Sequence, residues 1–465
     1  MPGRLKNAGC WAAKHPALTG LVVVFVASVV VGLIQGPKLF VYDSANYWEL
    51  SETFNHNGHF SFLHYEYLGI RGYAMPLTFY LLHEVGSLFG SAPSTDVVLF
   101  NSALFALTAA VLGPSLVAIA WPERRWGLLP RLGLGALFLI FWSGYLNYPL
   151  SDFPALVAAV LTVVAVSHWR SPAWLGLAGL SAAYAVDARP AYLLLIPLGI
   201  MVVAYSWWRD RDKARFPAGR RLACVVTFVV GLALVSAPQS LVEHHYGYGF
   251  SPLPGGNTLA GLQYTEGLRL QRYETFIGSS LPSMDYLDPH GEALLAELEG
   301  GEVENTSQYA EIILHHPVTI AGVFLRHVVN GLDQRYTTPY VEHLEPPSRK
   351  ILRLAGFLLV FLAAFRLLWP RGRRSLGAAS WPYPAMLLLC CLTVLPSAVE
   401  TRFMLPVFLL SSLVVLSAGW PSPLEAGAIG LRRFRTLTVG LVALVAYLVV
   451  VDLIVSATTN HLVLA

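Results

Sequence analysis

The chain has 465 residues, of which 55% are hydrophobic and only 13% charged, with a mean hydropathy of +0.55. Soluble domains carry roughly 25% charged residues, so about half the usual charge is absent, and disordered, collagen-like and ordinary soluble proteins are excluded. A net charge of +3 is too small for a nucleic-acid binder, whose basic residues gather on one face.

A membrane span needs about 20 mainly apolar residues. In chain order the stretches 16–36, 94–120, 132–148, 153–168, 173–187, 190–207, 222–241, 351–368, 383–399, 403–419 and 436–456 qualify. The expected fold class is an all-α polytopic membrane protein with about eleven transmembrane helices. The first stretch has a basic flank (Arg4, Lys6, Lys14), lacks an A-x-A-like cleavage site and reads as an uncleaved signal anchor.

Two long segments fall between spans. The first, 37–93, ends in an amphipathic stretch, Met75–Phe89, suited to the membrane interface. The second, 242–350, opens with Gly/Pro-rich sequence (Tyr246–Gly256). It continues through an acidic run from Asp285 to Glu304 and closes with a helix-like pattern from Tyr309 to Leu332. The expected organisation is an N-terminal membrane module (1–241), a small extracytoplasmic cap (242–350) and C-terminal membrane helices (351–465).

Charge sets the expected orientation. Arg124, Arg125 and Arg131; Arg170; Arg209, Arg211, Lys213, Arg215, Arg220 and Arg221; Arg366, Arg371, Arg373 and Arg374; and Arg432, Arg433 and Arg435 fill the gaps after even-numbered spans. The positive-inside rule then puts the N-terminus in the cytoplasm and the C-terminus outside, in a plasma or inner membrane. Of the four cysteines, Cys10 and Cys224 fall on the inner side, and Cys390 and Cys391 fall within a span. A disulfide framework is not expected, and no zinc-binding spacing is present.

Charge beside a bilayer is costly and marks candidate sites. Four such places share the outer side: Asp43 in Val41-Tyr-Asp-Ser-Ala-Asn-Tyr-Trp48, Asp152 in Tyr148-Pro-Leu-Ser-Asp-Phe-Pro154, Asp187 and Arg189 before Pro190, and Glu400 with Arg402. A carboxylate can accept the proton of an attacking hydroxyl. Arginine matches phosphate oxygens with a planar fork that is always charged. Plainer readings stand beside these: Asp43 and Asp152 as helix N-caps, Glu400 and Arg402 as a structural pair, Arg71 and Arg189 as residues snorkelling to headgroups. The pattern His56-x-x-His59 suits a metal but lacks a third ligand. Asp210-Arg-Asp212 spells a DxD motif inside a basic patch, and Asn305-Thr-Ser307 spells a glycosylation sequon.

In their order and shared side, these motifs resemble the GT-C superfamily of membrane glycosyltransferases, and more narrowly the protein O-mannosyltransferase and aminoarabinose-transferase branch. The resemblance runs from about residue 16 to 420. It implies a bacterial cell-envelope enzyme that takes a single sugar from a polyprenyl-phosphate donor and transfers it, with inversion, to a glycan, lipid or protein acceptor at the outer face. By the same resemblance Asp43 is the catalytic base and Asp152 a second carboxylate that helps hold the acceptor or the base. Arg71, Arg189 and Arg402, with Glu400, serve the donor phosphate, while Tyr47, Trp48, His64 and Tyr73 contact sugar or acceptor. Many relatives carry a second acidic residue directly after the first. Here it is Ser44, so a divalent metal is left open. Two alternatives remain: an oligosaccharyltransferase or ligase using a lipid-pyrophosphate glycan, and a glycolipid transporter.

Overall fold

The computed structural model describes residues 14–66, 69, 71–209, 217–254, 256–277, 283–343, 346, 348–368, 380–417 and 431–464. Helix α1 (Pro16–Gln35) begins on a proline, whose missing N–H costs nothing in the first turn. It ends at Gly36, which takes a φ of +75° that a side chain would resist. At 1.5 Å per residue its 20 residues cover about 30 Å, the thickness of the hydrocarbon core.

After α1 the chain forms a short helix, α2 (Tyr42–Glu52), and a hairpin of β1 (Asn55–His56) and β2 (His59–Phe60). The hairpin turns on Asn57 and Gly58, both at positive φ as such a turn requires. Helix α3 (Ala74–Leu88) buries Met75 and Phe79 while leaving Leu81, Val85 and Leu88 exposed. This is the amphipathic stretch read from the sequence.

The bundle follows: α4 (Pro93–Ala120), α5 (Leu128–Asn147), α6 (Asp152–Ser167), α7 (Pro172–Ala188), α8 (Pro190–Arg209) and α9 (Ala218–His245). Within α4, Thr108–Leu112 forms a π-helical turn just ahead of Pro114, which cannot donate to the regular ladder. Helix α6 is the most enclosed, with nearly every residue from Asp152 to Val166 buried. Helices α7 and α9 cross closely, because Gly176 and Gly179 lie against the α9 backbone around Phe228 and Gly231. Small residues permit that approach, and packing is the main adhesive where lipid offers no hydrophobic drive.

The described residues between 256 and 341 form a compact unit: α10 (Gly256–Arg269), β3 (Leu270–Phe276), β4 (Ser283–Leu287), α11 (Pro289–Ala296), α12 (Thr306–His315), α13 (Pro317–Leu332) and β5 (Tyr340–Val341). The helix-like pattern from Tyr309 to Leu332 is carried by two helices bent by 109°. Pro317 lacks an N–H and holds His316 out of helical geometry. The last elements are α14 (Arg349–Leu368), α15 (Pro382–Val394), α16 (Thr401–Ser417), α17 (Leu431–Thr459) and β6 (Leu462–Leu464). Strand β6 returns to the compact unit and completes a sheet of order β5-β3-β4-β6, with Val463 opposite Asp285.

Among the described residues seven helices are long and apolar enough to cross a membrane: α1, α4, α5, α8, α9, α14 and residues 438–459 of α17. Helices α6, α15 and α16 are apolar but shorter. The protein is a multi-pass, mainly α-helical membrane protein, whose described strands form the β1–β2 hairpin and one four-stranded sheet.

Candidate functional site

The site begins at the first turn of α2. Val41 and Ser44 cap that helix reciprocally: the Val41 N–H donates to Ser44 Oγ at 2.9 Å, and Ser44 Oγ donates to the Val41 carbonyl at 2.6 Å. The Ser44 N–H donates to the Tyr340 hydroxyl at 3.0 Å, which ties the helix to β5. Capping therefore falls to Ser44, and the Asp43 carboxylate is left for two guanidiniums. It accepts from Arg71, and Arg402 Nη2 donates to its Oδ2 at 3.1 Å.

Arg71 is aimed by the turn Arg71-Gly72-Tyr73. The Ala74 N–H donates to Asp187 Oδ1 at 2.8 Å and the Tyr73 N–H to Gln239 Oε1 at 3.1 Å. Position 72 must be glycine, since a Cβ there would overlap Asp187. The guanidinium of Arg71 then lies 5.2 Å from the centre of the Tyr47 ring, a favourable cation–π placement. The Tyr47 hydroxyl donates to Ser151 Oγ at 3.0 Å. Asp187 thus stands behind Arg71, holding its loop.

Asp152 opens α6 and is reached from two sides. Arg189 pairs with its Oδ1, and Arg402 Nη1 lies 3.6 Å from its Oδ2. Arg402 Nη2 also donates to Glu400 Oε1 at 2.6 Å. Phe403 underlies both cations, 4.4 Å from Arg189 and 5.7 Å from Arg402. The approach to Asp152 is set by buried Asn101, whose amide donates to the carbonyls of Tyr145, Leu146 and Tyr148 at 3.1, 3.2 and 3.0 Å. These carbonyls lie at and just beyond the end of α5, where helices leave acceptors unpaired. A small gap, with room for about one water, lies between α8, α15 and α16 and is lined by Arg189, Tyr192, Cys390, Cys391, Arg402 and Phe403, among others.

Three carboxylates and three guanidiniums meet at one end of the bundle, so their formal charges balance. Exposure separates their roles. The side chains of Asp43 and Arg71 are each 27% accessible, whereas that of Asp152 is 1% accessible. Only Asp43 among these two aspartates is open to an incoming hydroxyl. Burial pushes the Asp43 carboxyl up, but Arg71 and Arg402 outweigh it and hold the group below its ordinary value, so it is ionised at neutral pH.

The compact unit supplies residues that sequence reading did not single out. Tyr273 lies half-buried near Glu400, and burial with that neighbouring charge holds the phenol well above its ordinary range. Behind it lies a second ionic centre. Arg335 Nε donates to Asp333 Oδ2 at 2.5 Å and Arg353 Nε to its Oδ1 at 2.9 Å, while Arg272 pairs with Glu274 and Asp333. Asp333 and Arg335 are fully buried. The sequence signal was present in Asp333-Gln-Arg335, charge set directly after an amphipathic helix. Tyr273 carried none.

The other sequence candidates sit elsewhere. Trp48 donates to Glu52 at 3.0 Å and packs on Phe40, Phe79 and His83. His64 is exposed and stacks on His56, with centroids 3.6 Å apart. Tyr73 is buried edge-on against Phe62. Asn305 caps α12 by accepting from the Gln308 N–H at 3.0 Å. Asp210 and Asp212 lie outside the described residues. Among the described residues no group of three or more His, Cys, Asp or Glu is placed to hold a metal. The three site carboxylates face guanidiniums, so no metal is assigned here. No protein-family model and no curated protein matches the chain.

Proposed function

We propose that this protein is a GT-C-like membrane glycosyltransferase with eleven spans and a cytoplasmic N-terminus. It moves one sugar from a polyprenyl-phosphate donor to an acceptor hydroxyl at the outer face of the plasma or inner membrane. The observation that carries this reading is an accessible carboxylate, Asp43, held between Arg71 and Arg402 at one end of an apolar bundle.

The chemistry follows from those groups. The donor phosphate takes the guanidiniums of Arg71 and Arg402, with Arg189 beside them. As they turn from Asp43 to phosphate, the carboxylate loses the partners that depress its basicity and becomes a better proton acceptor. Asp43 takes the proton of the acceptor hydroxyl, whose oxygen attacks the anomeric carbon. The bond from that carbon to the phosphate oxygen breaks on the opposite face, giving inversion, and polyprenyl phosphate leaves with its added charge neutralised by arginine. Asp152, closed to solvent, serves as the fixed counter-ion that orients Arg189 and Arg402.

Mass spectrometry of lipid extracted from the purified protein tests this. Polyprenyl phosphate, with or without sugar, should accompany the wild type and be lost from an Arg71→Gln, Arg402→Gln variant. Recovery of a pyrophosphate-linked glycan would favour the oligosaccharyltransferase or ligase alternative. The same bulk phospholipid from both proteins would remove the donor assignment.

A further inference from the structure

We propose that the compact unit holds Tyr42 in a left-handed backbone conformation and so aims the Asp43 carboxylate between Arg71 and Arg402. Tyr42 and Tyr340 are the positioning residues. The inference rests on the reading of Asp43 as the base of sugar transfer.

Tyr42 begins α2 with a φ of +49°. That region suits glycine, and the short polar side chains of asparagine and aspartate reach it through local hydrogen bonds. A bulky aromatic residue has neither help, so its own chemistry does not account for the conformation. Among the described residues the other non-glycine at positive φ is Asn57, whose place in the hairpin turn explains it. Outliers of the Tyr42 kind persist where the surroundings over-determine them, and they gather at functional sites. Tyr42 directly precedes Asp43. Returning residue 42 to the ordinary negative φ swings the peptide that follows and redirects the Asp43 side chain.

The contacts that impose the conformation come from the compact unit. The Tyr42 hydroxyl donates to the Phe276 carbonyl at 3.0 Å, and its ring centre lies 5.9 Å from that of Tyr340. Beyond Asp43, the Ser44 N–H donates to the Tyr340 hydroxyl at 3.0 Å. Before it, Lys38 Nζ pairs with Glu342 Oε1 at 2.6 Å. Strands β3 and β5 lie side by side, with Thr275 opposite Tyr340 and Phe276 opposite Val341, so these grips share one origin. Tyr340 is itself buried and packs edge-on to Tyr148, with ring centres 4.9 Å apart. Residues 42 and 44 are thus fixed on either side of residue 43, whose carboxylate meets the two guanidiniums. A base acts only within hydrogen-bond reach of the proton it takes. Loss of this aim slows transfer, while donor phosphate, held by arginine, still binds.

Tyr42→Gly and Tyr42→Ala, in the full chain, carry the test. Both lose the tyrosine contacts equally and differ by one methyl group. In an ordinary helix alanine is the better residue, and at a positive φ the order reverses. Tyr42→Gly should therefore unfold at a higher temperature than Tyr42→Ala. Asp43, bonded to two guanidiniums, should resist coupling to glycine ethyl ester by a water-soluble carbodiimide, as read by mass spectrometry. Labelling of Asp43 should be roughly fivefold or more greater in Tyr42→Ala than in Tyr42→Gly, because a left-handed conformation costs a non-glycine residue about that much population. Tyr340→Phe keeps the ring and loses the acceptor for the Ser44 N–H. It should raise labelling and lower sugar transfer about two- to tenfold, the range for one hydrogen bond, with affinity for undecaprenyl phosphate unchanged. Alanine equal to or better than glycine at position 42 would overturn the inference, as would wild-type labelling in Tyr340→Phe. Should Tyr42→Ala fail to fold, the milder Tyr340→Phe decides alone. A wild type that transfers no sugar, with the labelling order intact, would strike the base reading and keep the aiming of Asp43, so the two failures are distinct.

Discussion

Arg402 Nη2 lies 3.1 Å from Asp43 Oδ2, joining positions 359 residues apart in the chain. The same guanidinium reaches Glu400 through Nη2 and faces Asp152 through Nη1. One planar fork thus binds the start of α2, the start of α6 and the segment before α16. Its geometry, as well as its charge, is what the site uses.

Lysine at position 402 keeps the charge and loses the fork. Arg402→Lys should lower affinity for a polyprenyl phosphate by about tenfold or more, since hydrogen bonds to charged groups are worth about 1.5–3 kcal/mol. Arg71→Lys and Arg189→Lys should be milder. Binding in nanodiscs measures all three. Wild-type affinity in every lysine variant would dismiss the clamp.

Asp152 and Asp43 should separate by stability. Asp152 is buried against Arg189 and Arg402, and removing one partner of a buried pair costs about 3–5 kcal/mol. Asp43 is partly exposed, so its replacement costs less. Asp152→Asn should therefore lower the unfolding temperature clearly more than Asp43→Asn, as followed by thermal unfolding in detergent. The reverse order would mean that Asp152 is not the fixed counter-ion.

Stability should fall in acid. The carboxyls of Asp43 and Asp333 are both held below their ordinary value of 3.8, the first by Arg71 and Arg402, the second by Arg335, Arg272 and Arg353 against the opposing effect of burial. A lowered carboxyl contributes stability that is complete above its unfolded pKa and is lost as pH falls through the folded one. The loss should begin below about pH 4. Asp333→Asn should unfold more easily at neutral pH and show a shallower acid decline. An equally steep decline in that variant would exclude Asp333 as a source.

Orientation rests on the alternation of basic gaps and on β6, which pairs with β4 and so puts residues 462–464 beside 284–286. In a background without reactive cysteine, Glu304→Cys and Val463→Cys should both be labelled by an impermeant maleimide in intact cells, and Arg211→Cys should not. Labelling of Arg211→Cys alone would reverse the topology and move the site to the cytoplasm.

Much of this was legible in the chain. Hydropathy marked every stretch that became a bundle helix, because a spanning helix needs a long apolar run and little else. The Asp43, Asp152, Arg189 and Arg402 motifs stood out because charge is rare beside such runs, and the structure brings them together with Arg71 and Tyr47. Trp48, His64 and Tyr73 share the first long segment but find partners elsewhere. Their residue types are as common in an interfacial belt as in a sugar site. Tyr273 was invisible because its place depends on β3 pairing with β5, across a sequence separation that no local pattern reports. The helix-like pattern from Tyr309 to Leu332 did not by itself locate the bend, which falls at Pro317 because proline lacks the N–H that would continue the helix.

Sugar transfer by Asp43→Asn shows whether Asp43 is the base. Asparagine keeps the shape and some hydrogen bonding but cannot accept the proton as a carboxylate does. The assay is transfer from a sugar-loaded polyprenyl phosphate in liposomes, with donor binding and thermal stability measured on the same preparations. The variant should fold and still bind donor while transfer falls about 10²–10⁴-fold, equivalent to roughly 3–5 kcal/mol of barrier. Transfer at near wild-type rate by a folded Asp43→Asn protein would remove Asp43 as the base.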